Sequence, residues 1–264
     1  MITQETPDIS HLLQIAKTAA MEAGEAIMQV YTSGEIEVDL KADNSPLTKA
    51  DRAAHEIISR HLAGTALPIL SEEGKHQDYE QRKNWTWYWL VDPLDGTKEF
   101  VKRNGEFTVN IALMHESKPV GGVIYAPVLD SLYLGSVQTG VYREEQGLKV
   151  QLKPLQARYT LQTLMQQRQV AVIASRTHLS PQTEEFIQRF PNTQMFNMGS
   201  SLKFMLLAEG KADVYPRFAP TMEWDTGAAH AILNALNRGI YQQGLQTELK
   251  YNKEDLLNPN FVAL

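Results

Sequence analysis

Two carboxylates three residues apart close an apolar run in WLVDPLDGTKEF, residues 89–100, where Trp89, Leu90 and Val91 lead into Asp92, Pro93, Leu94, Asp95 and Gly96. A run of that kind reads as a strand entering the core, and one that ends on Asp92 and Asp95 delivers negative charge to the point where the chain leaves it. Pro93 fixes one backbone dihedral across an expected Pro-Leu turn, and Gly96 permits close backbone approach. Thr97, Lys98, Glu99 and Phe100 can begin a helix, which turns the N–H groups of Gly96 and Thr97 toward the same small space as the carboxylates. Oxygen-only ligands on a rigid turn suit a hard cation such as Mg²⁺, which takes one or two carboxylates and fills the rest of its octahedron with water and substrate phosphate. The N–H groups at the helix start would hold that phosphate. An isolated D-x-x-D-G-T also reads as an acidic surface turn with a helix cap, and the motif alone does not decide between the two.

Two other acidic sites share the pattern. Glu72 and Glu73 follow the apolar run LPIL, and Asp225 sits beside Trp224 in the first turn of a predicted helix. Separately, the first reads as a solvated turn and the second as a favourable charge at a helix N-terminus. Together they supply carboxylates from three element ends, the arrangement a multi-carboxylate metal centre requires. Asp51 reads differently: Thr48-Lys49-Ala50-Asp51 fits a capping box in form, although Asp is a shorter partner than the usual Glu.

These residues need elements to carry them. Leu12, Leu13, Ala16, Ala20, Ala23, Ile27 and Val30 recur at helical spacing and predict an amphipathic helix over 9–31, capped by Asp8 or Ser10. A second helix is expected from Lys49 to Leu62, capped by Thr48 and stopped at Gly64. ALPIL and WTWYWLV read as strands, and FTVNIALM, PVGGVIYAPV, SLYLGSV and GVYRE follow at hairpin spacing as an antiparallel meander. After the Gln-rich segment KPLQARYTLQTLMQQRQ, VAVIAS reads as a buried strand, SPQTEEFIQRF as a helix with Ser180 as cap and Pro181 at its first position, and SSLKFMLLAEG as a helix stopped at Gly210. ADVYPRF reads as a strand and EWDTGAAHAILNAL as a helix stopped near Gly239. Helices, then a meander, then alternating α and β predict an α+β sandwich of two sheets between helices. We divide it into an N-terminal half over 1–155 carrying the DPLDGT motif and a smaller mixed αβ half over 156–264.

Composition narrows the class of function. A chain of 264 residues, 43% of them hydrophobic, can bury a sizeable core. Twenty-five Lys and Arg against 31 Asp and Glu give a net charge of −6, so polymeric nucleic acid is not an expected partner. There is no cysteine, which excludes disulfides, thiolate nucleophiles and Cys-type zinc sites and fits a reducing cytosol. The first residues, MITQETPDIS, lack a basic n-region and an apolar h-region, and no window approaches the roughly 20 apolar residues of a spanning helix, so a soluble protein is expected. His11, His55, His61, His76, His115 and His230 show no H-x-x-x-H pair and receive no metal role.

SEE, WLVDPLDGTKEF and WDTGAAHA, in this order and at these separations, resemble the Mg²⁺-dependent, lithium-sensitive phosphatases of the inositol monophosphatase superfamily. KADNSPLTKAD before them, RNGEFTVNIAL after the second, and GSSLKF with YPRF later are most similar to its 3′(2′),5′-bisphosphate nucleotidases. The resemblance runs from about residue 12 to about residue 235. It implies a layered αβαβα, sugar-phosphatase-like fold and two or three Mg²⁺ ions. Glu72, Asp92 and the Leu94 carbonyl would hold one ion, Asp92, Asp95 and Asp225 a second, with Glu72 reaching a third through water. Two such metals can clamp a phosphate and lower the pKa of a bound water. The pair matching Asp51 and Thr97 would orient and deprotonate that water for in-line attack, with no covalent phosphoenzyme. Glu72, Leu94, Asp95, Gly96, Thr97 and Asp225 would thus also border the scissile phosphate.

Substrate preference is expected from the second half, where His178, Ser200, Ser201, Lys203 and Arg217 could bind the phosphate that is not cleaved together with ribose and adenine edges. Each also has an ordinary structural reading, His178 as a surface loop residue and Lys203 as a solvated helix lysine. The implied substrate is adenosine 3′,5′-bisphosphate, with its sulfated analogue, in support of sulfate assimilation in the cytoplasm; peripheral attachment to the inner membrane is left open, and a monomer is the working expectation. An inositol monophosphatase or sugar bisphosphatase is the rival on the same scaffold, and GSSLKF argues against it. A haloacid-dehalogenase-type phosphatase spaces its two aspartates by one residue, whereas Pro93 and Leu94 intervene here. A Walker-type NTPase lacks its G-x-x-x-x-G-K-[ST]. A non-catalytic metal or nucleotide module would need neither Asp51 nor Thr97.

Overall fold

The apolar spacing of the first 63 residues produces two long helices, and the rest of the architecture is built on the sheet they cover. The structure is a computed structural model that describes residues 7–33, 38–40, 46–75, 77–174 and 179–264. In chain order the elements are α1 (Ile9–Ser33), β1 (Val38–Leu40), β2 (Pro46–Thr48), α2 (Lys49–Ala63), β3 (Ile69–Ser71), α3 (Tyr79–Arg82), β4 (Trp87–Asp95), α4 (Thr97–Val101), β5 (Thr108–His115), β6 (Lys118–Ala126), β7 (Ser131–Ser136), β8 (Gly140–Glu145) and β9 (Leu148–Leu152). The chain continues with α5 (Leu161–Met165), β10 (Val170–Ile173), α6 (Pro181–Ile187), β11 (Thr193–Phe196), α7 (Leu202–Ala208), β12 (Tyr215–Arg217), α8 (Glu223–Ala235), β13 (Ile240–Gln242) and β14 (Phe261–Ala263). Asp8 caps α1, its Oδ1 accepting from the His11 N–H at 3.0 Å.

Strands β3 to β9 form one seven-stranded sheet in sequence order, with β3 parallel to β4 and the others antiparallel. Alternation along β4 and β5 sends Trp89, Val91, Val109, Ile111 and Leu113 to one face, against Leu13, Ala16, Ala20 and Ile27 of α1 and Ile58 of α2. Each fully buried aliphatic side chain there contributes roughly 1.5–3 kcal/mol. Leu90, Ala112 and Ile124 point to the other face and meet Ala228 and Ile232 of α8. A side chain at Gly122 would fall on the Ala228 carbonyl oxygen, so glycine lets α8 lie directly on the sheet.

Beyond α7 and α8 lies a second sheet, order β12-β14-β13, whose Tyr215, Ile240 and Phe261 share the α8 core. The parallel pair β10–β11 joins it through a bridge from Val172 to Val214. Val172, Val214 and Val262 pack outward on Leu164 of α5 and on Phe186 and Phe190 around α6. The layers therefore run α, β, α, β, α, as expected.

Several details differ from the sequence reading. Asp92 and Asp95 do not flank a turn: β4 continues through both, with Asp92 opposite Asn110 and Asp95 opposite Thr108, so Pro93 and Leu94 face the single residue Val109 as a bulge. Proline has no N–H to give a ladder and is admitted at such a bulge. Pro216 is accommodated likewise, in the edge strand β12. The Gln-rich segment contains the short helix α5, capped by Thr160, and β1, β2, α3, β9, β11, β13 and β14 were not expected. Among the described residues no helix is long and apolar enough to cross a membrane.

Candidate metal centre

Glu72 follows β3, and its N–H bonds the Val91 carbonyl at 3.1 Å, which pins the acidic turn beside β4. Asp92 lies in β4 and is 1% exposed. Asp225 is the third residue of α8, its Oδ2 accepting from the Met222 N–H at 2.9 Å. One carboxylate oxygen from each of the three lies within 4.8 Å of the others. Without a cation this is costly. Burial first, and then the charges of Glu72, Asp95 and Asp225, hold the Asp92 carboxyl well above the usual carboxylate range. Burial and the nearby Asp95 push Asp225 up to about 8, against the opposing pull of the Met222 N–H and of Arg217. A divalent cation between them would relieve both penalties, and an all-oxygen donor set selects a hard one. The residues present therefore fit the implied Mg²⁺.

Asp95 stands at the edge of this group. Its Oδ2 accepts from Ser200 Oγ at 2.7 Å and from Asn110 Nδ2 at 3.4 Å, and its charge acts on Asp92 and Asp225. Leu94 donates its N–H to Asp92 Oδ1 at 3.1 Å, while its carbonyl accepts from Thr97 Oγ1 at 3.3 Å. Glu73, Glu72's neighbour, is not one of the three clustered acids.

Asp51 caps α2 and also bonds Thr97. Its Oδ2 accepts from the Thr48 N–H at 2.7 Å and from Thr48 Oγ1 at 2.6 Å, completing the capping box of α2. Its Oδ1 faces the site and accepts from Thr97 Oγ1 at 3.2 Å. A buried carboxylate held at both oxygens has one orientation, aimed by the cap at Thr97.

Gly96 stands before α4 at φ 92°, and a side chain there would press on the Glu106 carbonyl and Ser200 Cβ at 3.1 and 3.2 Å. Helix α4 has five residues, so its free N–H groups rather than a long macrodipole are what it offers an anion. It borders a cleft of about 590 Å³ lined by Asp95, Gly96, Ser200, Lys203, Arg217 and Asp225 among others. Ser200 takes φ 52°, and Lys203 Nζ donates to its carbonyl at 3.2 Å while lying 5.9 Å from the Tyr215 ring centroid. Ser201 is buried and donates to the Asp225 carbonyl at 3.1 Å, a structural link rather than a group facing the cleft. Arg217 Nη2 reaches the Pro220 carbonyl at 3.4 Å, whereas its buried Nε has no hydrogen-bond partner. His178 lies outside the described residues.

Thr108 and Asn110 are absent from the sequence-derived set, yet they connect it. Thr108 Oγ1 lies 2.6 Å from Ser200 Oγ and donates to Asn110 Oδ1 at 2.9 Å; Asn110 Nδ2 donates to Ser201 Oγ at 2.9 Å. Both are at most 1% exposed. The available signal was two polar residues, at alternate positions, in an otherwise apolar strand that pairs with the acidic motif.

The model of the inositol monophosphatase family matches residues 8–263. The chain is 46% identical over 247 residues to the 3′(2′),5′-bisphosphate nucleotidase CysQ of Escherichia coli (strain K12), covering 92% of this chain and 95% of that one. It is 36% identical over 260 residues to the enzyme of the same name in Haemophilus influenzae, covering 96% and 93%. The crystal structure of CysQ from Bacteroides thetaiotaomicron, a bacterial member of the inositol monophosphatase family, superposes with a TM-score of 0.81 at 48% identity over 96% of each chain. Layering, acidic cluster and end-to-end similarity agree, and the chain belongs to the inositol monophosphatase family.

Proposed function

We propose that the chain is a Mg²⁺-dependent 3′(2′),5′-bisphosphate nucleotidase that hydrolyses the 3′-phosphate of adenosine 3′,5′-bisphosphate to AMP and phosphate, and that accepts the sulfated analogue. The observation that carries this reading is the hydrogen bond from Thr97 to Asp51 at the border of the Glu72–Asp92–Asp225 cluster, because a module that only bound metal would not need it. The names of its relatives support the nucleotide over an inositol ester.

Glu72, Asp92, the Leu94 carbonyl, Asp95 and Asp225 are the groups that would hold two or three Mg²⁺ ions. Bound there, Mg²⁺ supplies charge stabilisation for the phosphoryl oxygens and acidifies water. The chain supplies position and a proton path. Thr97 Oγ1 accepts a proton from the attacking water while its own hydroxyl proton passes to Asp51 Oδ1, which ends the step protonated. The new oxygen–phosphorus bond forms in line with the ribose 3′ oxygen, whose bond to phosphorus breaks and which is protonated from solvent. Gly96 allows the phosphate to lie against backbone N–H groups. The unpartnered Arg217 Nε and the Lys203 ammonium supply cations for the second phosphate, and Ser200 braces Asp95 between them and the metal ligands. Lines of the cleft come from both 1–155 and 156–264, which we take as the two parts of a cytoplasmic, monomeric enzyme.

The direct test is phosphate release from adenosine 3′,5′-bisphosphate and inositol 1-phosphate side by side, with Mg²⁺ and then EDTA. Release is expected from the nucleotide, dependent on Mg²⁺ and well above that from the inositol ester. Preference for the inositol ester would overturn the substrate, and release unaffected by EDTA would overturn the metal centre. Lys203→Ala is expected to lower kcat/KM for the bisphosphate by about tenfold, the loss of one charge-assisted bond, and to spare a small phosphomonoester. Equal loss on both would assign Lys203 to holding the left-handed Ser200 backbone.

A further inference from the structure

A segment without helix or strand, residues 251–258, lies against the first turn of α8. The two are joined by several backbone and side-chain hydrogen bonds. Glu223 N–H donates to the Leu256 carbonyl at 3.0 Å, and Asn258 N–H to the Thr221 carbonyl at 2.8 Å. Asn258 Nδ2 donates to the Met222 carbonyl at 2.7 Å and to Thr226 Oγ1 at 3.1 Å, and Tyr251 donates to the same Thr226 oxygen at 3.2 Å. The segment is fixed in turn by Arg82, 3% exposed, whose Nη1 donates to Asn252 Oδ1 at 2.8 Å and Nη2 to the Glu254 carbonyl at 2.9 Å.

At the centre is a carboxylate that the reaction does not use. Glu223 is fully buried and accepts from the Asn252 N–H at 2.6 Å, the Lys253 N–H at 3.1 Å and the Lys253 ammonium. An anion buried at this depth is retained only against a definite set of donors. Two of those donors are backbone groups, so the carboxylate fixes where the strap lies, not merely that a lysine is near. Residues two apart on a helix point to nearly opposite sides. Glu223 therefore faces the strap while Asp225 faces the acidic cluster, and both are attached to the same turn.

We propose that Glu223 is a positioning residue for the metal centre: its carboxylate, clamped by Asn252 and Lys253, locks the first turn of α8 against the 251–258 strap and thereby sets the Asp225 carboxylate opposite Glu72 and Asp92. Long-range packing places the helix body, through Gly122 and Gly227 against the sheet, but the N–H groups of the first turn have no intrahelical acceptors, and that of Glu223 is taken up by the strap at the Leu256 carbonyl. The inference rests on the proposed metal centre.

The test is a titration of the metal-free protein with Mn²⁺, followed by the paramagnetic signal of the free ion, for wild type, Glu223→Gln, Glu223→Ala and Lys253→Met. Supporting groups behind a metal ligand are worth roughly 10- to 100-fold in metal affinity, so Glu223→Ala is expected to weaken binding by at least about tenfold. Glu223→Gln keeps an oxygen for the strap N–H groups and should recover most of that loss. In turnover assays the half-saturating metal concentration should rise by the same factor, with KM for the nucleotide unchanged and the lost rate regained at high metal. A residue that served stability alone would give a lower melting temperature with unaltered Mn²⁺ binding, and that result overturns the inference. Should Glu223→Ala fail to fold, Lys253→Met decides it on the same titration: removing the ammonium that clamps Glu223 is expected to weaken Mn²⁺ binding, and wild-type affinity in Lys253→Met is a refutation. Absence of Mn²⁺ binding by wild type would instead overturn the metal centre itself, and this inference with it.

Discussion

Asp92→Asn is expected to cut Mg²⁺-dependent phosphate release by at least about a thousandfold, the equivalent of several kcal/mol of lost charge stabilisation, while leaving the metal-free protein more stable at neutral pH than wild type. The two halves of this result have one cause. Asp92 is buried in β4 among Glu72, Asp95 and Asp225, so its ionised form, which accepts the Leu94 N–H, meets repulsion that a cation would relieve. For a carboxyl raised above its unfolded value, the native state holds more protons than the unfolded state, and stability falls as pH rises between the two pKa values. In the metal-free protein that fall begins near the unfolded carboxyl value of about 4 and, for Asp225, extends to about 8. Asparagine has the same shape and no proton to lose, and it removes one repelling charge from the other acids. Thermal melts in EDTA at pH 5 and pH 8 read the effect. His55 and His230, kept neutral by burial, tilt stability the opposite way, so the quantity to compare is the pH response of wild type against that of the variant. Wild type should lose more between the two pH values, and Mg²⁺ should restore wild type but not the variant. Appreciable turnover by Asp92→Asn would dismantle the metal centre, and equal pH responses would dismantle its electrostatic account.

What could be read from the sequence follows from how far each signal reaches along the chain. The clustered acids were legible because each ends an apolar run or opens a helix. Long elements were legible for the same reason: α1, α2, α8 and β4 to β8 carry many periods of their pattern. β9 alternates Leu148, Val150 and Leu152 with Lys149 and Gln151, but it is a short, exposed edge strand that buries almost nothing, and β13 and β14 are three residues long and defined by partners remote in sequence. The Asp92–Asp95 segment was misread as a turn because Pro inside a central strand needs a bulge, here supplied by the single partner residue Val109 and not by the motif. Asn110 and Glu223 were missed for a related reason. Each acts through residues remote in sequence, Ser201 for one and Lys253 for the other, and a single buried polar residue has no periodicity to announce it.

Asp51 tests whether local and long-range roles can be separated in one side chain. Asp51→Asn is expected to lower kcat by about 10²- to 10⁴-fold, the range of a lost general base, with KM for the nucleotide within about twofold. Helix α2 should survive, because the amide oxygen of asparagine can still accept from the Thr48 N–H and hydroxyl, where Asp51 Oδ2 does so now. Asp51→Ala removes the cap as well and should cost a further ~1 kcal/mol of stability, seen as a lower denaturation midpoint. The difference between the two variants isolates capping from catalysis. Thr97→Ala addresses the other end of the 3.2 Å bond and should also lower kcat rather than raise KM. If the two residues form one proton path, the double variant Asp51→Asn/Thr97→Ala turns over no more slowly than the slower single variant, since a path already broken is not broken again. Independent, multiplying losses would mean that Thr97 and Asp51 act on different steps. A rise in KM with kcat preserved would return Asp51 to the cap and Thr97 to phosphate binding, and the observation that carries the proposed hydrolysis would no longer do so.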